Sequence, residues 1–205
     1  MLMILGFMAF AGFIMWMAAR ASALAQENVR RMAGSIGLEL QAAAPLLGVF
    51  YPAPRATGRV RGKAVAVYNY HTGTGKSRRT WCALSVTPAA TGGLNFTLTR
   101  QGLGSKLKEM FGTKEITVGN PEFDRTWFIQ TNEPDFFQAA LLPELQEKIQ
   151  AFKGSFKLAE EGVTYVEEGS FSTEERCTRF VQAVEATCDL ADIAEVFARG
   201  QRRPS

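Results

Sequence analysis

The sequence predicts an α+β protein, in which an N-terminal transmembrane helix is followed by one antiparallel-sheet domain of order β-β-β-(α)-β-β-α-β-β-α. Three observations lead to this fold class. The first 19 residues contain no charged side chain. Short stretches rich in β-branched and aromatic residues alternate with turns that contain glycine, proline or asparagine. A long stretch near the C-terminus carries apolar residues at helical spacing.

The chain has 205 residues, which is the length expected of one folded domain with an appendage. We expect a transmembrane helix over residues 1–19, a juxtamembrane helix and linker over 20–57, the α+β domain over 58–199 and a polar tail over 200–205. Prolines are concentrated between residues 45 and 54, which marks the linker.

The N-terminal segment, MLMILGFMAFAGFIMWMAA, has close to the ~20 apolar residues that a bilayer requires. Trp16 lies near its end, and basic side chains begin only at Arg20, which favours a single-pass anchor with the domain on the cytoplasmic side. A cleaved signal peptide ending near Ala25 is the alternative, and it would leave a secreted or periplasmic domain. A buried core helix is the third interpretation.

Residue patterns place the elements of the domain in order. The strands are predicted over 58–70, 79–86, 94–99, 116–118, 127–130, 155–159 and 163–166. Helices are predicted over 101–111 and 135–152, and Pro143 is expected to break the second of these near Leu141. The last helix begins at the capping box Ser172–Glu175 and is expected to end at Gly200.

The stretch YHTGTGKSRRTW, residues 70–81, ends in the GKS of a phosphate-binding loop. That loop requires a glycine five positions before Gly75, where this chain has Tyr70, and it requires a helix afterwards. The residues that follow Ser77 are β-branched and aromatic instead. The pattern therefore predicts the tip of a β-hairpin and not a nucleotide site.

The charge of the chain is distributed unevenly. Residues 20–114 contain 14 Lys and Arg against 3 Asp and Glu, whereas residues 115–205 contain 9 against 17. The two halves can neutralise each other in the fold, or the basic half can face an anionic lipid or a protein partner. The residues that we expect to make such a contact are Arg59, Arg61, Lys63, Lys76, Arg78 and Arg79. Aromatic residues do not recur among the arginines at stacking intervals, so no nucleic-acid partner is expected.

No pattern of catalytic or metal-ligating residues is found. His71 is the only histidine, and the cysteines are three, with no CxxC. The acidic pairs at 160–161 and 167–168 are adjacent on predicted strands, so their side chains point to opposite faces. Asp189 and Asp192 share a helix face that we expect to be solvated. We therefore predict neither cofactor nor metal.

One segment resembles a bacterial group of uncharacterised, membrane-anchored domains. The likeness covers most of residues 58–197, and its specific part is ITVGNPEFDRTWFIQTNEPDFFQAALLPELQEKIQAF, residues 116–152. The matching positions are Gly119, Asn120, Pro121, Glu122, Phe123, Asp124, Trp127, Phe128, Leu141, Leu142, Pro143 and Leu145. The resemblance implies N-terminal membrane segments and no known activity. We expect Phe123 to fill the core and Asp124 to make local hydrogen bonds.

These observations predict a membrane-anchored, non-catalytic binding or scaffold domain. Two other functions stay open: an exported soluble domain, or an enzyme whose catalytic residues form no recognisable sequence motif.

Overall fold

The computed structural model describes residues 2–41, 44, 52–101 and 114–201. In these ranges the helices are α1 (Leu2–Ser35), α2 (Pro121–Thr126), α3 (Pro134–Ala140), α4 (Pro143–Gln150) and α5 (Glu174–Gln201). The strands are β1 (Leu38–Leu40), β2 (Arg55–Val60), β3 (Lys63–Thr72), β4 (Arg79–Thr87), β5 (Phe96–Arg100), β6 (Lys114–Ile116), β7 (Trp127–Thr131), β8 (Ser155–Ala159) and β9 (Gly162–Glu168).

The strands form one antiparallel sheet in the order β1-β2-β3-β4-β9-β8-β5-β7-β6. The C-terminal hairpin of β8 and β9 lies in the middle of this sheet, because β9 pairs with β4 and β8 pairs with β5. It therefore joins the first four strands to the remaining three. The central strands of the sheet come from distant parts of the chain.

One face of the sheet is apolar across its whole width. Directly paired residues on this face are Ala56, Val67, Leu84, Tyr165, Phe156, Leu98, Ile129 and Ile116. Because side chains alternate between faces along a strand, the residues next to them point to the other side. The other side carries mostly small and polar side chains.

All helices of the described part pack against the apolar face. Each contributes a side chain to the same buried cluster as the strands: Val29 from α1, Phe123 from α2, Phe137 from α3, Ile149 from α4 and Phe180 from α5. Aromatic contacts connect these layers. The Tyr165 ring lies 5.2 Å from that of Phe180, and the Phe96 ring lies 4.6 Å from that of Phe137.

The structure contradicts the predicted transmembrane helix over residues 1–19. The described ranges hold no helix that is both long enough and apolar enough to cross a membrane. Helix α1 does not end where the apolar stretch ends. It continues to Ser35 through the charged residues Arg20 and Glu27, and its second half is buried in the core through Met32 and Ala33. The predicted membrane location and single-pass anchor are therefore wrong, although described side chains such as Phe13 on the first half of α1 are exposed.

The predicted number and order of strands are also wrong. The sequence suggested one strand over 58–70, but β2 and β3 are separate strands joined by the two-residue turn Arg61-Gly62. Both residues have positive φ, 53° and 79°, as a type I′ hairpin turn requires. Arginine rarely adopts this conformation, which explains why a single glycine did not indicate a turn.

Two further differences occur elsewhere in the described part. Strand β1 lies upstream of the predicted domain and pairs with β2. Residues 119–124, expected to be a turn-rich link, overlap with the six-residue helix α2, which begins at Pro121. Asn120 caps α2 by accepting hydrogen bonds from the backbone N–H groups of Glu122 and Phe123, and Pro121 occupies the first turn. The predicted helix over 101–111 lies mostly outside the described residues.

Several local predictions are confirmed. The GKS stretch forms a short 3-10 turn, Gly75–Ser77, at the tip of the β3–β4 hairpin. The helix break falls at Leu141 and Leu142, between α3 and α4. Phe123 is fully buried. The Asp124 carboxylate accepts hydrogen bonds from the backbone N–H groups of Val118 and Gly119, at 2.9 and 3.2 Å.

Acidic residues of α5 bind the β2–β3 turn. Lys63 Nζ lies 2.6 Å from the Asp192 carboxylate and 3.2 Å from that of Glu195, and its side chain is only 9% exposed. Arg61 contacts Asp192 and lies 2.6 Å from Asp189. Burial alone would lower the pKa of Lys63, but its two carboxylate partners outweigh burial and raise it. The ammonium group is therefore held in its charged form.

We expect Lys63→Ala to lower the free energy of unfolding by about 2–3 kcal/mol, because it removes the buried ammonium group that lies between the Asp192 and Glu195 carboxylates. Arg61→Ala is the matched control on the same turn and should cost about 1 kcal/mol or less, because Arg61 is 41% exposed and its ion pairs are screened by solvent. Urea unfolding of both variants measures the difference. Equal losses would contradict the assigned roles.

The stability of the protein should depend on acid pH through these carboxylates. Burial would raise the pKa of Asp189, but Arg61 and Lys148 lower it below its ordinary value, and the pKa of Glu195 is lowered by the Ala89 N–H and by Lys63. A group with a lowered pKa in the folded state stabilises the protein above its unfolded pKa, which is ~4 for Asp and Glu. That contribution is lost as the pH falls through the folded pKa.

We therefore expect the free energy of unfolding to be nearly constant between about pH 7 and pH 5 and to fall below about pH 4. Urea unfolding at a series of pH values, at constant ionic strength, measures it. If the free energy of unfolding rose as the pH was lowered from 5 to 3, the carboxylates would not be stabilised by their partners in the fold.

Candidate functional site

The face of the sheet opposite the helices carries the candidate site, and we call it the helix-free face. Its central row consists of directly paired residues from seven strands: Thr57, Ala66, Ser85, Thr164, Lys157, Thr97 and Gln130. None of these residues belongs to the apolar core cluster. The helices of the described part contribute their core side chains to the opposite face.

A cavity of about 580 Å³ lies on the helix-free face, over β5, β8 and β9. This volume is within the ~300–1,000 Å³ that small-molecule sites occupy. The residues that line it are Tyr70, Thr97, Thr99, Ser155, Lys157, Ala159, Glu160, Glu161, Gly162, Thr164 and Val166. Residues 160–161 of the β8–β9 turn and Tyr70 of β3 both contribute to this wall.

A second depression of about 260 Å³ adjoins the first. The two share Thr97, Lys157 and Ala159, so they form one continuous groove across the central strands. The second depression adds the amide side chains of Asn95, Gln130 and Asn132. Two of these are already engaged, because both Asn95 Nδ2 and Asn132 Nδ2 donate to the Gly93 carbonyl oxygen.

Stacked aromatic rings support the Tyr70 side of the cavity. The Trp81 ring stacks on that of Tyr70 with centroids 6.4 Å apart and an interplanar angle of 16°. The indole N–H donates a hydrogen bond of 2.8 Å to Thr72 Oγ1, which fixes the orientation of Trp81. Tyr68 lies 6.2 Å from Tyr70, and the Arg55 guanidinium lies over the Tyr68 ring at 5.3 Å. The Tyr70 ring is therefore held in place.

Thr99 is a buried polar residue in the wall of the cavity. Its side chain is 2% exposed, and its hydroxyl oxygen makes no hydrogen bond to any of the residues that the structure describes. A buried hydroxyl without a partner costs free energy, so Thr99 is not explained by stability alone.

We expect Thr99→Val to raise the free energy of unfolding by about 1 kcal/mol, because valine keeps the shape and removes the unpaired hydroxyl. Thr99→Ser is the control. It keeps the hydroxyl, loses a methyl group and should lower stability. Chemical denaturation of the wild type and the two variants measures the three free energies of unfolding. Destabilisation by valine would mean that the hydroxyl has a partner in solution.

The six basic residues predicted to contact an anionic partner do not form one patch. Arg61 and Lys63 are bound by the acidic residues of α5, and the exposed Arg59 donates to the Gly62 carbonyl oxygen at 3.0 Å. Lys76, Arg78 and Arg79 lie at the other end of β3. Nine residue steps of ~3.3 Å along that strand separate the two groups by ~30 Å.

At the β3–β4 tip, Arg79 lies 3.2 Å from Glu168. Lys76 and Arg78 are exposed there. The predicted anionic partner stays a prediction, and the fold confines its contacts mainly to these two side chains. His71 is exposed at the same hairpin, with Nδ1 3.1 Å from Thr80 Oγ1.

The cysteines are buried and unpaired, at positions 82, 177 and 188. Burial raises the pKa of the Cys82 thiol to about 12, so it stays protonated at neutral pH. In the ranges that the structure describes, no three His, Cys, Asp or Glu side chains are grouped so as to hold a metal ion. Asp189 and Asp192, which share a helix face, bind Arg61 instead.

The sequence did not reveal the groove residues. Thr97, Lys157 and Thr164 are neighbours only because the β8–β9 hairpin inserts between β4 and β5. The sequence feature that could have indicated them is the alternation of threonine with apolar residues along a strand, as in Thr97-Leu98-Thr99. That alternation indicates a polar face but not which strands share it.

Comparison with known proteins gives one structural similarity. No protein-family model matches the chain, and no curated protein sequence matches it. The fold is similar to that of the crystal structure of the mycobacterial trehalose monomycolate transport factor A, TtfA, with a TM-score of 0.50. The sequences are 12% identical, and the match covers 83% of this chain and 93% of the other. At this identity the likeness concerns the fold alone.

Proposed function

We propose that this protein is a non-catalytic binding module that holds a small-molecule ligand in the groove of its helix-free face. The observation that carries the proposal is the cavity of about 580 Å³ over β5, β8 and β9, on the side of the sheet away from the core. A concave site of this size with convergent polar groups is the usual form of a ligand site.

The composition of the groove supports binding over catalysis. The ionisable residues that line the cavity are Tyr70, Lys157, Glu160 and Glu161. The two glutamates are adjacent in the turn between β8 and β9. Catalysis of proton or acyl transfer needs a nucleophile, a base and an orienting group in mutual contact. The described groove residues include no histidine or cysteine.

The structural neighbour is compatible with this proposal. It is named as a trehalose monomycolate transport factor. The proposal for this chain rests on its own groove, because the likeness between the two chains concerns the fold.

A groove-filling variant tests the proposed function. Thr164 faces the cavity from β9, and Thr57 lies in the same row of the same face, three strands away. Thr164→Trp should fill the groove, whereas Thr57→Trp adds the same side chain outside it. The wild type and both variants are purified from one expression host and denatured, and the released small molecules are identified by mass spectrometry.

We expect at least one compound to be released by the wild type and by Thr57→Trp, and its amount to fall about tenfold or more in Thr164→Trp. Thermal unfolding confirms that both variants are folded. Release of the same compounds in the same amounts from all three proteins would place their binding outside the groove. Release of no compound by the wild type would contradict the proposal.

A further inference from the structure

We propose that the groove takes a neutral, hydroxyl-rich ligand of the saccharide class, bound against the Tyr70 ring. This inference rests on the proposed function and names the chemistry of its ligand.

The polar groups of the cavity wall are mostly hydroxyls. They belong to Tyr70, Thr97, Ser155 and Thr164. A hydroxyl both donates and accepts a hydrogen bond, and a carboxylate accepts only. The wall therefore offers both donors and acceptors, together with the acceptors of Glu160 and Glu161. A ligand that carries many hydroxyl groups of its own matches this mixture better than a ligand that only donates or only accepts.

The cavity wall presents few large aliphatic side chains to an alkyl chain. Of its lining residues, the aliphatic ones are Ala159 and Val166, and no leucine, isoleucine, methionine or phenylalanine is among them. Sites for alkyl chains are lined mainly by large apolar side chains, since burial of apolar area drives their binding. Hydroxyls buried against a methylene chain would lose their hydrogen bonds to water without replacement.

The charge of the cavity disfavours an anion. One lysine, Lys157, faces two glutamates, Glu160 and Glu161, among the lining residues. The balance is one negative charge, so a phosphate or carboxylate ligand would meet net repulsion. The basic residues of the hairpin tip, Lys76 and Arg78, do not line the cavity.

The aromatic wall matches the apolar face of a sugar ring. Tyrosine and tryptophan present a flat apolar surface with a polar edge, which suits a ligand that is apolar on one side and polar at its rim. Tyr70 lines the cavity, and Trp81, its partner on the neighbouring strand, lies beside it with ring centroids 6.4 Å apart. Tyr68 lies beside Tyr70 on the same strand but does not line the cavity, so it serves as a control position.

The test uses three proton-bearing probes of different chemistry: maltose as a neutral disaccharide, laurate as an alkyl chain, and glycerol 3-phosphate as an anion. Saturation-transfer NMR detects binding of each probe to the full chain. We expect saturation transfer to maltose alone. The transfer should fall about tenfold in Thr164→Trp and stay unchanged in Thr57→Trp.

The aromatic variants test the contact with the Tyr70 ring. Tyr70→Leu should weaken maltose binding about tenfold, and Tyr68→Leu should leave it within about twofold. If Thr164→Trp does not unfold cooperatively, Ser155→Phe fills the same groove in its place.

The other outcomes separate the ligand class from the site. Transfer to laurate or glycerol 3-phosphate that Thr164→Trp abolishes, with none to maltose, would overturn the saccharide class and leave the groove as the binding site. Maltose binding that is equal in Thr164→Trp and the wild type would place it elsewhere and overturn the inference. Absence of transfer to every probe would also overturn it, and the ligand-release experiment then judges the proposed function separately.

Discussion

Replacement of Glu167 by alanine is expected to lower the free energy of unfolding by about 3–5 kcal/mol. The Glu167 carboxylate is 6% exposed and receives hydrogen bonds from Tyr165 Oη at 3.0 Å, from Arg176 Nε at 3.2 Å and from Arg179 Nη2 at 2.7 Å. It therefore joins β9 to the first turns of α5. Without it, two largely buried guanidinium groups lose the buried carboxylate that they share, and Arg179 keeps the exposed carboxylate of Glu175. The loss of a buried carboxylate is more costly than the loss of an exposed ion pair.

The effect of Glu167→Ala is measured by urea unfolding at pH 7. Glu167→Gln is the matched control, because it keeps the shape and one acceptor oxygen and should cost less. Burial alone would raise the pKa of Glu167, but Arg179 and Arg176 lower it. The Gln variant should therefore also lose less stability than the wild type when the pH falls below about 4. A loss under about 1 kcal/mol for alanine would contradict this account.

Replacement of Phe156 by alanine should have a similarly large effect, about 3–5 kcal/mol. Phe156 is fully buried in the middle of the sheet, on β8. Its ring lies 4.7 Å from Tyr165, 5.5 Å from Phe152 and 6.1 Å from Trp127. Phe156 thus connects β9 and β7 with Phe152, which follows α4. Alanine at this position would leave a cavity that the surrounding rings cannot fill.

Thermal unfolding should show the Phe156→Ala loss as a decrease in Tm of about 6–20 °C, since ~1 kcal/mol corresponds to ~2–4 °C in a domain of this size. Phe156→Leu keeps most of the volume and should cost roughly 1–2 kcal/mol. If the two variants were equally stable, the aromatic cluster would not be the centre of the core.

The last helix was predictable because its information is local. Its apolar stripe at Cys177, Phe180, Val184, Cys188 and Ala191 follows helical spacing, and all five side chains are buried. Local signals also located the hairpin tip and the break between α3 and α4. In each case neighbouring residues determine the backbone, through a proline or a glycine-rich turn.

Features that depend on distant residues were not predictable. The Arg61–Asp189 pair joins residues 128 positions apart. The sequence alone predicted that Arg61 would contact an anionic partner, but in the fold its guanidinium group is paired with Asp189. The composition of residues 1–19 suggested an independent anchor, but the continuation of α1 into the core is a tertiary property. The groove has the same origin, because the strand order that creates it is not encoded in any short motif.

The groove also explains why the helix-free face differs in composition from the apolar face. On β8, Phe156 and Leu158 are buried in the core, whereas Ser155, Lys157 and Ala159 face the cavity. A face that only needed to be solvated would tolerate long charged side chains throughout. Small residues leave the volume that a ligand needs.

The most direct measurement of the central claim is amide chemical-shift mapping of the ¹⁵N-labelled chain, titrated in turn with maltose, laurate and glycerol 3-phosphate. The account predicts that any probe that binds shifts the amides of Thr97, Lys157 and Thr164 most strongly, and that Thr164→Trp suppresses these shifts. Shifts confined to α5 or to the β3–β4 tip would contradict the assignment of the helix-free face as the ligand site, and the absence of any shift with maltose would contradict the saccharide class.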